Sequence, residues 1–157
     1  MPSDKLKSTL HFHLIVFIFG FTAILGKLIS IGAVSLVWYR MVLATAVLAL
    51  FMGIKRISFA LSTKQFYIML ICGVLIALHW VFFFHAVKLS NVSVTLSVMS
   101  AGALVTALVE PIFYKRSFVW YEIVLGLIVV IALGLIMQTE YHYIEGIMFA
   151  FFAILLS

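Results

Sequence analysis

The sequence predicts an all-α integral membrane protein, with five transmembrane helices and the first part of a sixth. Hydrophobic residues make up 66% of the 157 residues, and charged residues make up only 10%. The mean hydropathy is +1.31, and apolar runs of about 20 residues, long enough to cross a bilayer as a helix, recur between short polar links. Typical globular domains are about half apolar and about a quarter charged. Lipid is therefore the expected solvent of this chain.

Cysteine content and net charge narrow the class of protein further. Cys72 is the only cysteine, which excludes a disulfide framework and a CxxC-type metal or redox site. The formal net charge is +5, which in a soluble chain would indicate nucleic acid. Spans this apolar leave no basic face, so we expect no nucleic-acid partner and interpret the charge as a sign of membrane topology.

The first two spans cover about residues 10–29 and 33–52. A polar start, residues 1–9, precedes them, and only residues 30–32 separate them. Such a short link predicts an antiparallel helical hairpin. The start resembles that of a signal peptide, but no small-residue cleavage site follows at the right place, so the first span is expected to stay in the protein.

The third, fourth and fifth spans cover about residues 66–89, 92–114 and 119–138. A polar loop at residues 55–64 precedes the third span. Ser90 and Asn91 form a tight turn between the third and fourth spans, and Ser90 can also cap the fourth.

After the fifth span, a polar stretch at residues 139–145 leads to an apolar run at 146–157. Twelve residues are too few to cross a bilayer, so we expect this run to begin a sixth helix of a longer polypeptide. The predicted organisation is a cytoplasmic N-terminus (1–9), a first five-helix unit (10–138), an outer loop (139–145) and the truncated sixth transmembrane helix (146–157).

Basic residues predict how the chain is oriented in the cell membrane. Because Lys and Arg in short loops stay in the cytoplasm, the N-terminus is expected inside and residues 139–145 outside. Seven of the ten basic residues fall on that inner side: Lys5, Lys7, Lys55, Arg56, Lys64, Lys115 and Arg116. An odd number of spans would invert a second unit of the same kind, and inverted repeats around a midplane site are common in secondary transporters.

Arg40 is the most prominent candidate for binding a substrate. It lies about seven residues inside the second span, roughly 10 Å from its outer end, and an ionised group at a span centre costs at least ~2.5 kcal/mol. Two interpretations stay open. Arg40 either snorkels to the interface beside Trp38 and Tyr39, or it grips an anionic substrate group, for which its fork of donors is suited.

Lys27 lies near the outer end of the first span, on one helical stripe with Gly20 and Ala23. Small residues let another helix approach, so this stripe is expected to face the bundle. Lys27 is interpreted either as a snorkelling lysine or as part of a substrate site. We expect no acidic residue near it on the outer half of the spans, so Lys27 and Arg40 together would favour an anionic substrate.

His79 and Trp80, near the middle of the third span, are further candidates for substrate binding. His79 would either carry a proton or bind a ligand, or it would be a neutral contact between helices. His85 lies about 600° further around the helix, so the two histidines cannot form the i, i+4 pair of a metal site. We therefore expect no metal and no other cofactor.

Glu110 precedes Pro111 near the inner end of the fourth span. It is expected to pair with a cytoplasmic Lys or Arg or to cap the backbone that Pro111 frees. Proton coupling is the alternative for Glu110, and His85 is likewise kept as a structural or coupling candidate.

Several segments resemble the EamA-type transporters of the drug/metabolite transporter superfamily. The segment from Trp38 to Met41, with Ala44, resembles the second helix of that family. Gly73, residues 83–86 and 89–93 resemble its third helix and the turn that follows, and residues 126–134 resemble its glycine-spaced fifth helix. The resemblance implies ten helices in two five-helix repeats and transport of small metabolites or drugs. The chain departs from the family at residues 100–102, where many members have a proline, and at Lys115 and Arg116, where many have an acidic residue.

Transport, in the form of export by alternating access between two repeats, is the leading functional interpretation, and the chain is not expected to be an enzyme. Small dimeric multidrug efflux proteins are the first alternative. A membrane-embedded enzyme is the second, although no nucleophile with a base, pair of acids or metal cluster is assembled in the sequence. A non-catalytic subunit is the third, and the ionisable groups inside the spans disfavour it.

Overall fold

The computed structural model describes residues 2–57 and 60–157. Over those ranges the chain is almost entirely helical and has no β-strand. Five apolar segments are long enough to cross a membrane, so the predicted all-α membrane fold is confirmed. The helices are α1 (Pro2–Leu28), α2 (Ala33–Lys55), α3 (Thr63–Leu89), α4 (Val92–Ser100), α5 (Gly102–Tyr114), α6 (Trp120–Thr139) and α7 (Ile144–Leu155), with a 3₁₀ turn at Tyr141–Tyr143 before α7.

The first two helices differ from the prediction in two respects. α1 begins at Pro2, because the polar start is itself helical: the hydroxyl of Thr9 donates to the carbonyl of Lys5 at 2.8 Å, a bond along one helical turn. Residues 29–32 join α1 to α2, a link one residue longer than the predicted 30–32. Both helices, however, pack mainly against α3 instead of forming a hairpin packed on itself.

Side-chain hydrogen bonds cap the start of α3 and the start of α4, the helix that follows it. At its start, the Ser62 hydroxyl accepts the Gln65 N–H at 3.3 Å, and the Gln65 side chain accepts the Ser62 N–H at 2.9 Å. At its other end, the prediction that Ser90 caps the next helix was wrong. Asn91 caps α4 by accepting the Val94 N–H at 2.8 Å, while the Ser90 hydroxyl donates back to the Ala86 carbonyl at 2.7 Å.

The fourth predicted span is interrupted at Ala101, where α4 ends and α5 begins. The Ala101 N–H donates to the Val98 carbonyl at 3.0 Å, a tightened i→i−3 bond. The Ser100 hydroxyl also donates back to the Ser97 carbonyl at 2.5 Å, a type of bond that bends helices. The interruption therefore forms at residues 100–102 without a proline.

The core lies where α7 packs against α3 and α4. Ala150 and Ala153 of α7 are fully buried, and Gly146 has no room for a side chain, because a Cβ there would lie 2.7 Å from the Cβ of Ser90. Gly146 lies at the end of α3 and Ala153 lies beside His79. α7 therefore runs antiparallel to α3.

Burial is uneven along α1, α2 and α3. We call the end of the bundle where α1 and α3 finish the Lys27 end, and the end where α5 finishes the Arg116 end. Among the described residues of these three helices, those that are buried all lie in the half nearest the Lys27 end. They are Ala23, Gly26, Ala33, Leu36, Val37, Phe83, Phe84, Ala86 and Val87.

Candidate functional site

Arg40 lies against an aromatic pair on α3. Its guanidinium carbon is 3.8 Å from the centre of the Trp80 ring and 5.9 Å from that of Phe84, which is cation–π geometry. The two rings stack with centres 5.7 Å apart, because residues four apart share a helix face. The sequence identified Arg40 and Trp80 separately, and the fold brings them into contact.

One donor of Arg40 has no hydrogen-bond partner within the described residues. Its Nη1 atom is buried and unpaired, whereas more than about 90% of buried polar groups in proteins are bonded. A mostly apolar cleft of about 600 Å³ lies beside this side chain. The residues that line it are Thr22, Leu25, Gly26, Ile29, Ile31, Leu36, Tyr39, Arg40, Leu43 and Phe84.

Gly26 allows α1 to approach this aromatic pair. A Cβ at position 26 would lie 2.5 Å from Cδ1 of Phe84, so any side chain would displace the ring that supports Trp80. The sequence pointed instead to Gly20, which lies on the predicted stripe with Ala23. Ala23 is buried as expected, but nothing lies within 4 Å of a Cβ built on Gly20.

His79 connects this cluster to α7. Its Nδ1 atom lies 2.7 Å from the Ala153 carbonyl, and because a carbonyl can only accept, Nδ1 must carry the proton. The imidazole lies edge-on to Trp80, with ring centres 5.2 Å apart. His85 is on another face and contacts Phe149 at 4.5 Å between ring centres, so the fold does not bring it to Arg40.

Lys27 and Lys88 cross between the ends of α1 and α3. The Lys27 ammonium donates to the carbonyls of Val87 at 3.0 Å, Lys88 at 3.1 Å and Ser90 at 2.6 Å. The Lys88 ammonium donates in return to the Ile29 carbonyl at 2.6 Å. Because an ammonium has three donors, Lys27 has none left for a solute in this arrangement, and it does not line the Arg40 cleft.

Lys27 instead lines a second cleft, of about 560 Å³, together with Asn91, Ser97 and Glu140. Glu140, which follows the end of α6, is the acidic residue that shares this cleft with Lys27. α6 ends beside the beginning of α4, and this packing brings Glu140 to the Lys27 end. Glu140 also lies 3.5 Å from Nε2 of His142.

Glu110 lies at the Arg116 end, away from the Arg40 cleft. Arg116 bridges two acids there, at 3.0 Å to Glu110 and 3.3 Å to Glu122, so the predicted pairing of Glu110 with a basic residue is confirmed. The three side chains are 34–40% exposed, and ion pairs this exposed stabilise a fold by about 1 kcal/mol or less. In the described part of the chain, no three His, Cys, Asp or Glu side chains are arranged to hold a metal ion.

The chain has five apolar helices that are long enough to cross a membrane. It is therefore a multi-pass membrane protein, and its environment is a lipid bilayer. The sequence model of the EamA-like transporter family matches residues 7–138. The chain therefore belongs to this family of membrane transporters within the drug/metabolite transporter superfamily, and the resemblance noted in its sequence is confirmed. Neither a curated protein nor a solved structure matches the chain.

Proposed function

We propose that the chain transports a small metabolite or drug that carries an anionic group on an apolar body, and that Arg40 binds the anionic group. The observation that carries this proposal is the buried, unpaired Nη1 of Arg40 beside an apolar cleft of about 600 Å³. A carboxylate or phosphate oxygen would supply the missing acceptor in a charge-assisted hydrogen bond. The apolar lining would take the remainder of the solute.

The neighbouring side chains have supporting roles in this proposal. Trp80 holds the guanidinium from one side, which leaves the unpaired donor for the solute. His79 holds Trp80 edge-on and reaches α7 through the Ala153 carbonyl. Lys27 contributes positive charge at the mouth of the path and makes no direct bond to the solute in this arrangement.

We further propose export by alternating access at the cytoplasmic membrane, with the N-terminus in the cytoplasm. Residues 10–138 would act as one repeat and work against a second, inverted five-helix repeat. Residues 139–145 would then form the outer loop and residues 146–157 would begin the sixth transmembrane helix. The family assignment and the loop charges support this arrangement.

The proposal is tested by binding of phenylacetate and phenylacetamide to the purified full-length protein. The two probes share an apolar body and differ in charge, and binding is read from tryptophan emission, to which Trp80 contributes. Phenylacetate should change the emission saturably and phenylacetamide should not. Arg40→Gln should weaken phenylacetate binding by ~10-fold to ~150-fold, the effect of losing a hydrogen bond to a charged group.

Two further variants make this test specific. Arg40→Lys should also weaken binding, because a point charge does not replace a two-pronged donor. Arg56→Gln, at the exposed end of α2, is the matched control and should bind phenylacetate normally. The proposal is wrong if both Arg40 variants bind phenylacetate as the unaltered protein does, or if the amide binds as well as the acid.

A further inference from the structure

We infer that Lys27 and Lys88 form a gate that closes the Arg40 cleft at the Lys27 end. This inference rests on the proposed transport function and concerns how a solute enters or leaves the same cleft. It is carried by the two crossed lysines, by the cleft-lining residues beside them and by the distribution of buried residues along α1, α2 and α3.

The four lysine hydrogen bonds tie the end of α1 to the end of α3 from both directions. Lys27 reaches from α1 to three carbonyls at the end of α3, and Lys88 reaches from α3 to the Ile29 carbonyl just after α1. The last carbonyls of a helix have no partner within it and carry partial negative charge. Each ammonium is therefore paired with the end of the other helix, without any carboxylate.

Neither lysine lines the cleft itself, but both are next to, or bonded to, residues that do. Gly26, which precedes Lys27, lines the cleft, and so does Ile29, whose carbonyl accepts from Lys88. Phe84, one turn before Lys88 on α3, also lines it. Separation of the ends of α1 and α3 would therefore expose the cleft and the Arg40 side chain within it.

Burial along α1, α2 and α3 indicates that, within the described residues, these three helices pack together at this end and not at the other. In the described residues of α1, α2 and α3, every buried position lies in the half nearest the Lys27 end. From residue 63 to residue 78 of α3, no side chain is buried. The crossed lysines thus hold together the one region in which these three helices are packed. Two of their four bonds are exposed and two are part-buried, so they lie at the rim of this region, where local opening costs less than disruption of a core.

The gate is tested by the accessibility of Ala23, which is 2% exposed and lies one turn before Lys27 on α1. Ala23→Cys is introduced into the full-length protein with Cys72→Ser and any other cysteine removed. A membrane-impermeant thiol reagent is then added from the Lys27 side. Labelling should be slow in this background. Lys88→Met should raise the rate by ~10-fold, and Lys27→Met with Lys88→Met by more, because each charged hydrogen bond contributes roughly a tenfold or larger factor to closure.

Two controls separate opening from damage. Lys64→Met changes an exposed lysine at the opposite end of α3 and should leave the labelling of Ala23→Cys unchanged. Lys55→Cys, labelled from the opposite side of the membrane, reports insertion and should react equally in every variant. If the double variant is not inserted into the membrane, the labelling rate of the Lys88→Met variant alone tests the gate.

The gate is ruled out if inserted Lys88→Met and double variants label Ala23→Cys at the parent rate, or if Lys64→Met accelerates labelling equally. Lys88→Arg keeps a donor for the Ile29 carbonyl and should label at close to the parent rate. The labelling experiment uses no solute, so its failure removes the gate and leaves the Arg40 proposal standing. Failure of phenylacetate binding would remove the Arg40 proposal without altering the labelling result.

Discussion

Gly26→Ala tests whether the approach of α1 to α3 builds the Arg40 site. The added Cβ would lie 2.5 Å from Cδ1 of Phe84, against 3.4–4 Å for an ordinary contact, so the ring must withdraw by about 1 Å. Phe84 is only 3% exposed and its ring stacks on Trp80, which leaves little room for this movement. Overpacking of this kind costs about 1–3 kcal/mol.

That strain should fall on the proposed solute site, because Arg40 lies over the Trp80 ring. The expected loss of phenylacetate affinity is therefore ~5-fold to ~150-fold, measured by titration of tryptophan emission in purified full-length protein. Gly20→Ala is the matched control on the same helix, since nothing lies within 4 Å of its added Cβ. Equal affinities in the Gly26→Ala and Gly20→Ala variants would show that the aromatic platform does not depend on the approach of α1.

Two further predictions concern packing and orientation. Gly126→Ala should lower the stability of the protein in detergent by about 1–3 kcal/mol, because its Cβ would lie 2.7 Å from the Cβ of Leu104, whereas Gly134→Ala has open space and should be neutral or slightly stabilising in the same thermal unfolding assay. Single cysteines at Lys64 and His142, with Cys72 removed, should react with an impermeant thiol reagent from opposite sides of the membrane. Reaction of both from one side would contradict the proposed topology.

The sequence predicted the helices well because their signal is local. Each span is a run of apolar residues bounded by charged or turn-forming residues, and lipid requires such runs to be helical. The interruption at Ala101 has a weaker signal, since it depends on a Ser100 hydroxyl bonding back to the helix. Serines are common in spans that do not bend, so this residue type alone did not predict the interruption.

The candidate site was predictable residue by residue but not as a cluster. Arg40 was identified because a charge inside a span is unusual, and Trp80 was identified as the neighbour of His79, an ionisable group near mid-span. Their contact depends on how α2 and α3 are rotated about their axes, and a uniformly apolar span gives little information about rotation. For the same reason the close approach of Gly26 was missed, although Ala23 on the same helix was assigned to the buried side.

The energetics of Arg40 favour the proposal that it binds a solute over the alternative that it only anchors the helix at the interface. An arginine within a span costs up to about 2.5–3.5 kcal/mol, the value for the span centre, and for a partly exposed side chain such as Arg40 a cation–π contact returns about 0.5–2 kcal/mol. The unpaired Nη1 adds a further penalty of about 1–3 kcal/mol. The contact with Trp80 therefore leaves a deficit of a few kcal/mol, which an apolar residue at position 40 would avoid. A solute oxygen bonded to Nη1 would remove the largest part of that deficit. Because the deficit is present in the free protein and disappears only when the solute binds, its removal would add to the affinity for the solute.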